Sequence, residues 1–239
     1  MSATGPVEAD TFDSVRDQLP IFPLNTVMFP GVRVPLHVFE DRYRALVHHL
    51  LTISDKSLRL FGIVAIREGY EVGQHGVQSV HRVGCLVQLT SVEPYEDGRF
   101  DIEVLGRERL RLDGLDISGE FLVGDVETLP SARTPKGNDT TREAVRALET
   151  FAEYRRRLSA MRGGEVLDGD LPRDPEYLSY SLAATCLLTL RERQALLEVD
   201  TPLERLIMLR HAMYEEMRAM AAIPSLPATE VARTSWSPN

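Results

Sequence analysis

The sequence predicts an α+β protein, a β-rich pseudo-barrel with one inserted helix followed by a C-terminal helical bundle. Three observations carry this reading. Residues 18–129 are rich in β-branched residues and turn dipeptides at short intervals, the pattern of a curled antiparallel sheet or small barrel. Residues 139–222 carry helical periodicity and repeated helix-start signals. The character of the chain changes near Pro130, where the first pattern stops. The expected organisation is a tail over 1–16, a β-rich subdomain over 17–130, a helical subdomain over 131–222 and a second tail over 223–239.

In the first part, Ile21–Phe29 and Val32–Val38 are short apolar runs separated by the turn pair Pro30-Gly31. Glu40–Leu51 reads as the inserted helix, because Tyr43, Leu46, Val47 and Leu50 fall on one face at helical spacing. Phe61–Ile66 is nearly continuous in apolar residues, as in a strand covered on both faces. Val83 to Leu89 alternates weakly, and Phe100 to Val104 alternates cleanly. Asp97-Gly98 between them is a hairpin-turn dipeptide. Arg109–Leu112 and Phe121–Leu129 supply two further strands.

In the second part, helices are expected at about 140–161, 175–188, 190–198 and 202–220. Thr140-x-x-Glu143, Thr189-x-x-Glu192 and Thr201-x-x-Glu204 fit the capping box, in which two side chains reciprocally satisfy N–H groups left over at a helix start. Asp174-Pro175 and Thr201-Pro202 place a capping residue before a proline at the first helical position. Methionines on the last helix read as core filler. Gly163 to Asp170 reads as a solvated loop, since its acidic residues lack the spacing of a calcium loop.

A net charge of −9 argues against a nucleic-acid partner, which needs a positive face to displace phosphate counterions. The Arg155–Arg157 run reads as a solvated helix face. The acidic N-terminus has no apolar signal region, and Ser181–Leu190 is far too short to span a bilayer, so a cytoplasmic protein without membrane contact is expected. Two cysteines in separate apolar runs give neither a zinc site nor a disulfide framework.

Motif by motif, the chemistry is negative. There is no phosphate-binding loop, dinucleotide fingerprint, nucleophile elbow or H-E-x-x-H pair. His75 and His81 near Cys85 form the one arrangement that could support a nucleophile, the basis of an alternative reading as a hydrolase. Cys85 sits mid-strand among apolar neighbours, where a thiolate is disfavoured. The two lysines, Lys56 and Lys136, fall in loop or boundary segments. No cofactor or metal is expected.

The segment Leu19-Pro20-Ile21-Phe22-Pro23-Leu24, continuing through Phe29-Pro30-Gly31 to Pro35-Leu36, resembles the opening of the LON substrate-binding domain at the N-terminus of Lon proteases. Val83-Gly84, the Asp97-Gly98 turn, Gly106-Arg107-Glu108-Arg109 as a G-x-x-R, and Arg191–Glu198 resemble later pieces of that domain in the same order. The resemblance covers roughly 18–222 and implies a stand-alone, non-catalytic module that binds peptides, unfolded polypeptides or a partner protein. It implies no ATPase or peptidase activity, since the sequence shows neither machinery. A scaffold for one folded partner and a homodimer are both compatible with it. The binding surface is expected around the Pro30-Gly31 turn, with Phe29 and Val32 as apolar anchors beside Glu40, Asp41 and Arg42 at the helix start.

Overall fold

A computed structural model describes residues 16–67, 79–130, 139–164, 167 and 170–222. Six strands form one sheet: β1 (Arg16–Leu24), β2 (Arg33–Val38), β3 (Leu60–Ala65), β4 (Val83–Pro94), β5 (Phe100–Asp116) and β6 (Leu122–Leu129). β5 is long enough to hold different partners along its length. Its first half pairs with β2 and β4, and its second half reaches β6. β6 lies antiparallel to β1, β1 runs parallel to β3, and β3 is antiparallel to β4. The ring β5–β4–β3–β1–β6 therefore closes on itself. β2 hangs outside the ring, and among the described strands it pairs with β5 alone.

Both faces of the central strands are covered. Ile21 and Val64 join one apolar cluster with Leu110, Leu112, Leu122 and Val126, while their chain neighbours Phe22 and Ile63 join another. Helix α1 (Asp41–Thr52) buries Tyr43, Leu46, Val47 and Leu50 in that second cluster, the face its periodicity predicts.

Four further helices, α2 (Asp139–Arg162), α3 (Pro175–Thr185), α4 (Leu190–Glu198) and α5 (Pro202–Ala222), share a third cluster built on Phe151, Tyr154, Leu178, Leu182, Leu206 and Leu209. Val27, Phe29 and Ala65 enter it from the strand-rich part. Arg109 fixes the junction. Only 2% exposed, it donates from Nη1 to the carbonyls of Leu197 (3.1 Å) and Val199 (2.9 Å), and Nη2 pairs with Asp200 (3.1 Å). A cation at these carbonyls complements the negative end of the α4 dipole. Arg205, fully buried, grips the same turn through Leu196 and Val199 and lies over the Tyr180 ring at 4.0 Å. Gly106 is required by close approach, because a Cβ there would drive into the Phe29 carbonyl. The G-x-x-R motif thus acts at both ends, the glycine admitting the Phe29 segment and the arginine tying β5 to α4.

Several boundaries differ from the sequence expectation. The first strand is Arg16–Leu24 rather than Ile21–Phe29, because β6 continues the pairing back to Arg16. Phe100–Val104 and Arg109–Leu112 are one strand; the exposed Arg107 and Glu108 between them point outward, and shifts in the β4–β5 register absorb the irregularity. α3 stops at Thr185 rather than 188. Thr140 lies inside α2, which begins at Asp139, so it does not cap that helix, and its Oγ1 is buried without a partner. The other start signals hold. Thr189 and Glu192 form a full capping box, and Asp174 accepts from the N–H groups of Glu176 (3.0 Å) and Tyr177 (3.2 Å).

Candidate polypeptide-binding surface

β2 has one partnered edge and one open edge. The Val32 carbonyl accepts from Gly106 N–H (2.9 Å), so by strand alternation Val34, Leu36 and Val38 turn their peptide groups to β5. Arg33, Pro35 and His37 turn theirs away, toward an edge where none of the described strands pairs. Pro35 fits only there, since it has no N–H to give the ladder. Arg33 and Pro35 are exposed and His37 is half-buried.

Each end of this edge meets a depression. Val32 lines a cleft of about 190 Å³ with Phe151, Ala184 and Thr185 from the helices and Leu171 from the connection between α2 and α3. His37 and Phe39 line a smaller crevice with Phe22, Leu24 and Tyr43, whose wall is the edge-on Phe22–Tyr43 pair at 4.1 Å between centroids. Above it sits a polar-aromatic cluster. His37 Nδ1 lies 2.6 Å from Asp101, Tyr95 donates to the other oxygen of Asp101 (2.6 Å), and the Arg99 guanidinium lies over the Tyr95 ring at 5.5 Å. The hydrogen bonds from Tyr95 and His37 hold the Asp101 carboxyl below the ordinary carboxylate range. The same bond to Asp101 holds the Tyr95 phenol up. Phe39 and Tyr95 keep about two fifths of their surface exposed.

The residues expected to form the surface are distributed unequally. Phe29 is a core residue, 1% exposed with its ring 6.2 Å from that of Tyr180, and does not serve as an exposed anchor. The turn is there, with Gly31 exposed at φ +77°, and Tyr177 packs against one side of it; a Cβ on Gly31 would sit 2.6 Å from the Tyr177 ring. Val32 is half-buried at the cleft. Glu40 caps the backbone of α1 without a side-chain cap bond and borders the crevice. Asp41 is exposed and pairs with Arg44 (2.9 Å), and Arg42 is half-buried. Sequence reasoning missed His37, Phe39, Tyr95 and Asp101. The period-two reading of β2 puts His37 on the face of Arg33, and the Asp97-Gly98 turn sets the β4–β5 register that brings Tyr95 and Asp101 together.

Among the described residues, those behind the hydrolase reading do not assemble into a site. Cys85 is fully buried, and desolvation pushes its thiol far above the ordinary range. Half-buried His81 faces Glu198 at 3.8 Å, across the strand–helix junction. His75, Lys136 and the acids Glu165 and Asp168 lie outside the described residues. Among the described residues no group of His, Cys, Asp and Glu could hold a metal ion, and no helix is long and apolar enough to cross a membrane.

The model of the ATP-dependent protease La (LON) substrate-binding domain matches residues 18–215. The chain belongs to the LON substrate-binding domain family. Similar proteins include the Lon protease of Desulfovibrio desulfuricans, 28% identical over 213 residues, which cover 87% of this chain and 23% of that protein. The Lon protease of Escherichia coli K12 is 26% identical over 212 residues, covering 85% of this chain and 25% of that protein. The chain thus spans about a quarter of the length of these relatives. Among solved structures, the N-terminal domain of Mycobacterium avium complex Lon protease superposes with a TM-score of 0.62 at 18% identity, over 83% of this chain and 98% of that one. A Lon N-terminal domain protein from Xanthomonas campestris gives 0.58 at 22% identity, over 81% and 96%. These two likenesses concern the fold, a mixed, sheet-rich domain with helices.

Proposed function

We propose that this LON domain is a non-catalytic, cytoplasmic module that holds unfolded or partner polypeptides on the side of the barrel running from Val32 to Arg42, with helices 139–222 acting as a bundle that braces it. The observation that carries the reading is the open edge of β2. A strand partnered on one side presents alternating donors and acceptors that an extended chain can satisfy. Val32 remains in the proposed site, at the cleft where the edge begins; Glu40, Asp41 and Arg42 remain at its far end; Phe29 supports the edge from within the core. The buried, desolvated Cys85 supports the absence of catalysis. Nucleic acid and membrane are not expected partners.

The test is retention without cleavage. Purified protein immobilised on resin should retain unfolded casein in preference to a stably folded control, and the retained casein should stay intact with or without ATP. Equal retention of both, or cleavage that disappears in a Cys85→Ala variant, defeats the reading.

A further inference from the structure

We infer that the cleft at Val32 is a socket for one side chain of the bound polypeptide, an aromatic ring carrying a hydrogen-bond donor, tyrosine above all. This rests on the function proposed above and names a specificity element of that surface. The apolar walls come from distant parts of the chain. Val32 precedes β2, Phe151 lies on α2, Ala184 lies on α3, and Leu171 belongs to the connection between the two helices. Each wall is held from behind. Val32 donates its N–H to the Phe29 carbonyl (3.3 Å), and its own carbonyl accepts from Gly106 (2.9 Å). Phe151 is 5% exposed and rooted in the helical core. Arg193 donates to the carbonyls of Ala184 (3.5 Å) and Cys186 (3.3 Å), which pins the end of α3. A cleft with fixed walls loses little freedom when a side chain enters it.

Two observations select the occupant. The first is size. At about 190 Å³ the cleft falls below the roughly 300–1,000 Å³ of cofactor and small-molecule pockets. An apolar cavity of about 150 Å³ accepts a benzene ring, so this space takes one ring with room for a substituent. A leucine side chain leaves part of it empty. The second is polarity. Thr185 donates its hydroxyl proton to the Ser181 carbonyl (2.7 Å), which leaves its oxygen as an acceptor. Asp170, exposed at the rim, also accepts, and the Ser181 hydroxyl can do either. The rim is therefore biased toward acceptors. A phenol donor gains a partner there, a bare phenyl ring does not, and a carboxylate meets the charge of Asp170. Large aromatic side chains seated in pockets are also the usual anchors of a protein interface.

The experiment follows methyl NMR spectra of the full chain, labelled at its Ile, Leu and Val methyls. The probes are the N-acetyl amides of tyrosine, phenylalanine, leucine and glutamate. Tyrosine amide should shift the Val32 and Leu171 methyls saturably. Phenylalanine amide should shift the same methyls with roughly two- to tenfold weaker affinity, as expected for one missing hydrogen bond. Leucine amide should bind more weakly than either, and glutamate amide should leave these methyls unmoved. Thr185→Val removes a rim acceptor and should narrow the gap between tyrosine and phenylalanine. Ala184→Leu occupies the cleft and should abolish tyrosine binding, with circular dichroism confirming the fold. Val32→Phe closes the cleft from the opposite wall and should do the same, so the test stands if one variant is unstable. Leucine amide binding as tightly as tyrosine amide, or shifts that spare Val32 and Leu171, overturns the socket. Equal affinity for tyrosine and phenylalanine amides overturns the donor preference. If the parent protein and the filled variants retain casein equally, this inference fails and the general function stands; if the parent does not retain casein, the general function itself fails.

Discussion

Phe29 and Val32 flank the same turn, yet their environments separate them. The Pro30-Gly31 pair makes the turn legible in the sequence, but the rings packed beside Gly31 and Phe29 are Tyr177 and Tyr180, on a helix far along the chain, and no local pattern encodes those contacts. Phe29→Ser should therefore cost about 3–5 kcal/mol, as expected for opening a cavity in a sealed core. Val32→Ser, at a half-buried cleft wall, should cost about 1 kcal/mol or less. Urea unfolding midpoints at constant slope distinguish the two, and a similar loss for both would contradict the burial described. Glu216 makes a second residue-scale case. Burial, and then the neighbouring Glu192, push its carboxyl above the usual range. A carboxyl raised in the folded state favours folding below its unfolded value, near 4.5, and opposes folding once pH rises through the folded value. Glu216→Gln should thus raise the melting temperature at pH 7, and the gain should vanish below about pH 4. A gain that persists in acid would point to packing instead of charge.

At the scale of elements, helix starts were the most legible features and strand extents the least. A capping box is written within four residues, so Thr189 and Glu192 could be read directly. Thr140 and Glu143 have the same spacing, but Asp139 is already helical and tertiary packing buries both side chains. Thr189→Ala should cost about 1 kcal/mol, as loss of an N-cap usually does. Thr140→Ala should be nearly neutral, since its hydroxyl is already buried without a partner. Equilibrium unfolding of the two variants side by side checks this, and equal losses would show that both threonines cap. The sequence pattern splits β5 into Phe100–Val104 and Arg109–Leu112, with charged Arg107 and Glu108 between the two runs. In a strand of a closed sheet those residues only need to face outward, and ring closure depends on partners that lie elsewhere in the sequence. The candidate surface was half legible for the same reason. Its position near β2 and the start of α1 followed from local signals, while its open edge and the His37–Tyr95–Asp101 cluster depend on pairing across the sheet.

At the scale of the whole molecule, the change of character at Pro130 marks a boundary in sequence but not in the core. Val27, Phe29 and Ala65 belong to the same buried cluster as Tyr154, Leu178 and Leu206. Arg109 delivers its guanidinium to carbonyls of the turn after α4, and Gln194 on α4 donates back to the Val83 carbonyl (2.9 Å). Removing the helices would leave Phe29 exposed and the Arg109 charge without the acceptors at Leu197, Val199 and Asp200. Each of these is a costly loss. An apolar side chain returned to water forfeits about 2–3 kcal/mol, and a formerly paired polar group loses bonds worth about 1.5–3 kcal/mol where a charge is involved. A domain's total stability is only about 5–15 kcal/mol, so losses of this size in one piece are enough to unfold it. The prediction is that the intact chain melts in a single transition, with calorimetric and van't Hoff enthalpies in agreement, and that a chain ending at Pro130 is insoluble or lacks a cooperative transition. Two well-separated transitions in the intact chain, or a truncated chain that melts cooperatively, would mean that the strand-rich part holds its shape without the Arg109 junction and the shared core.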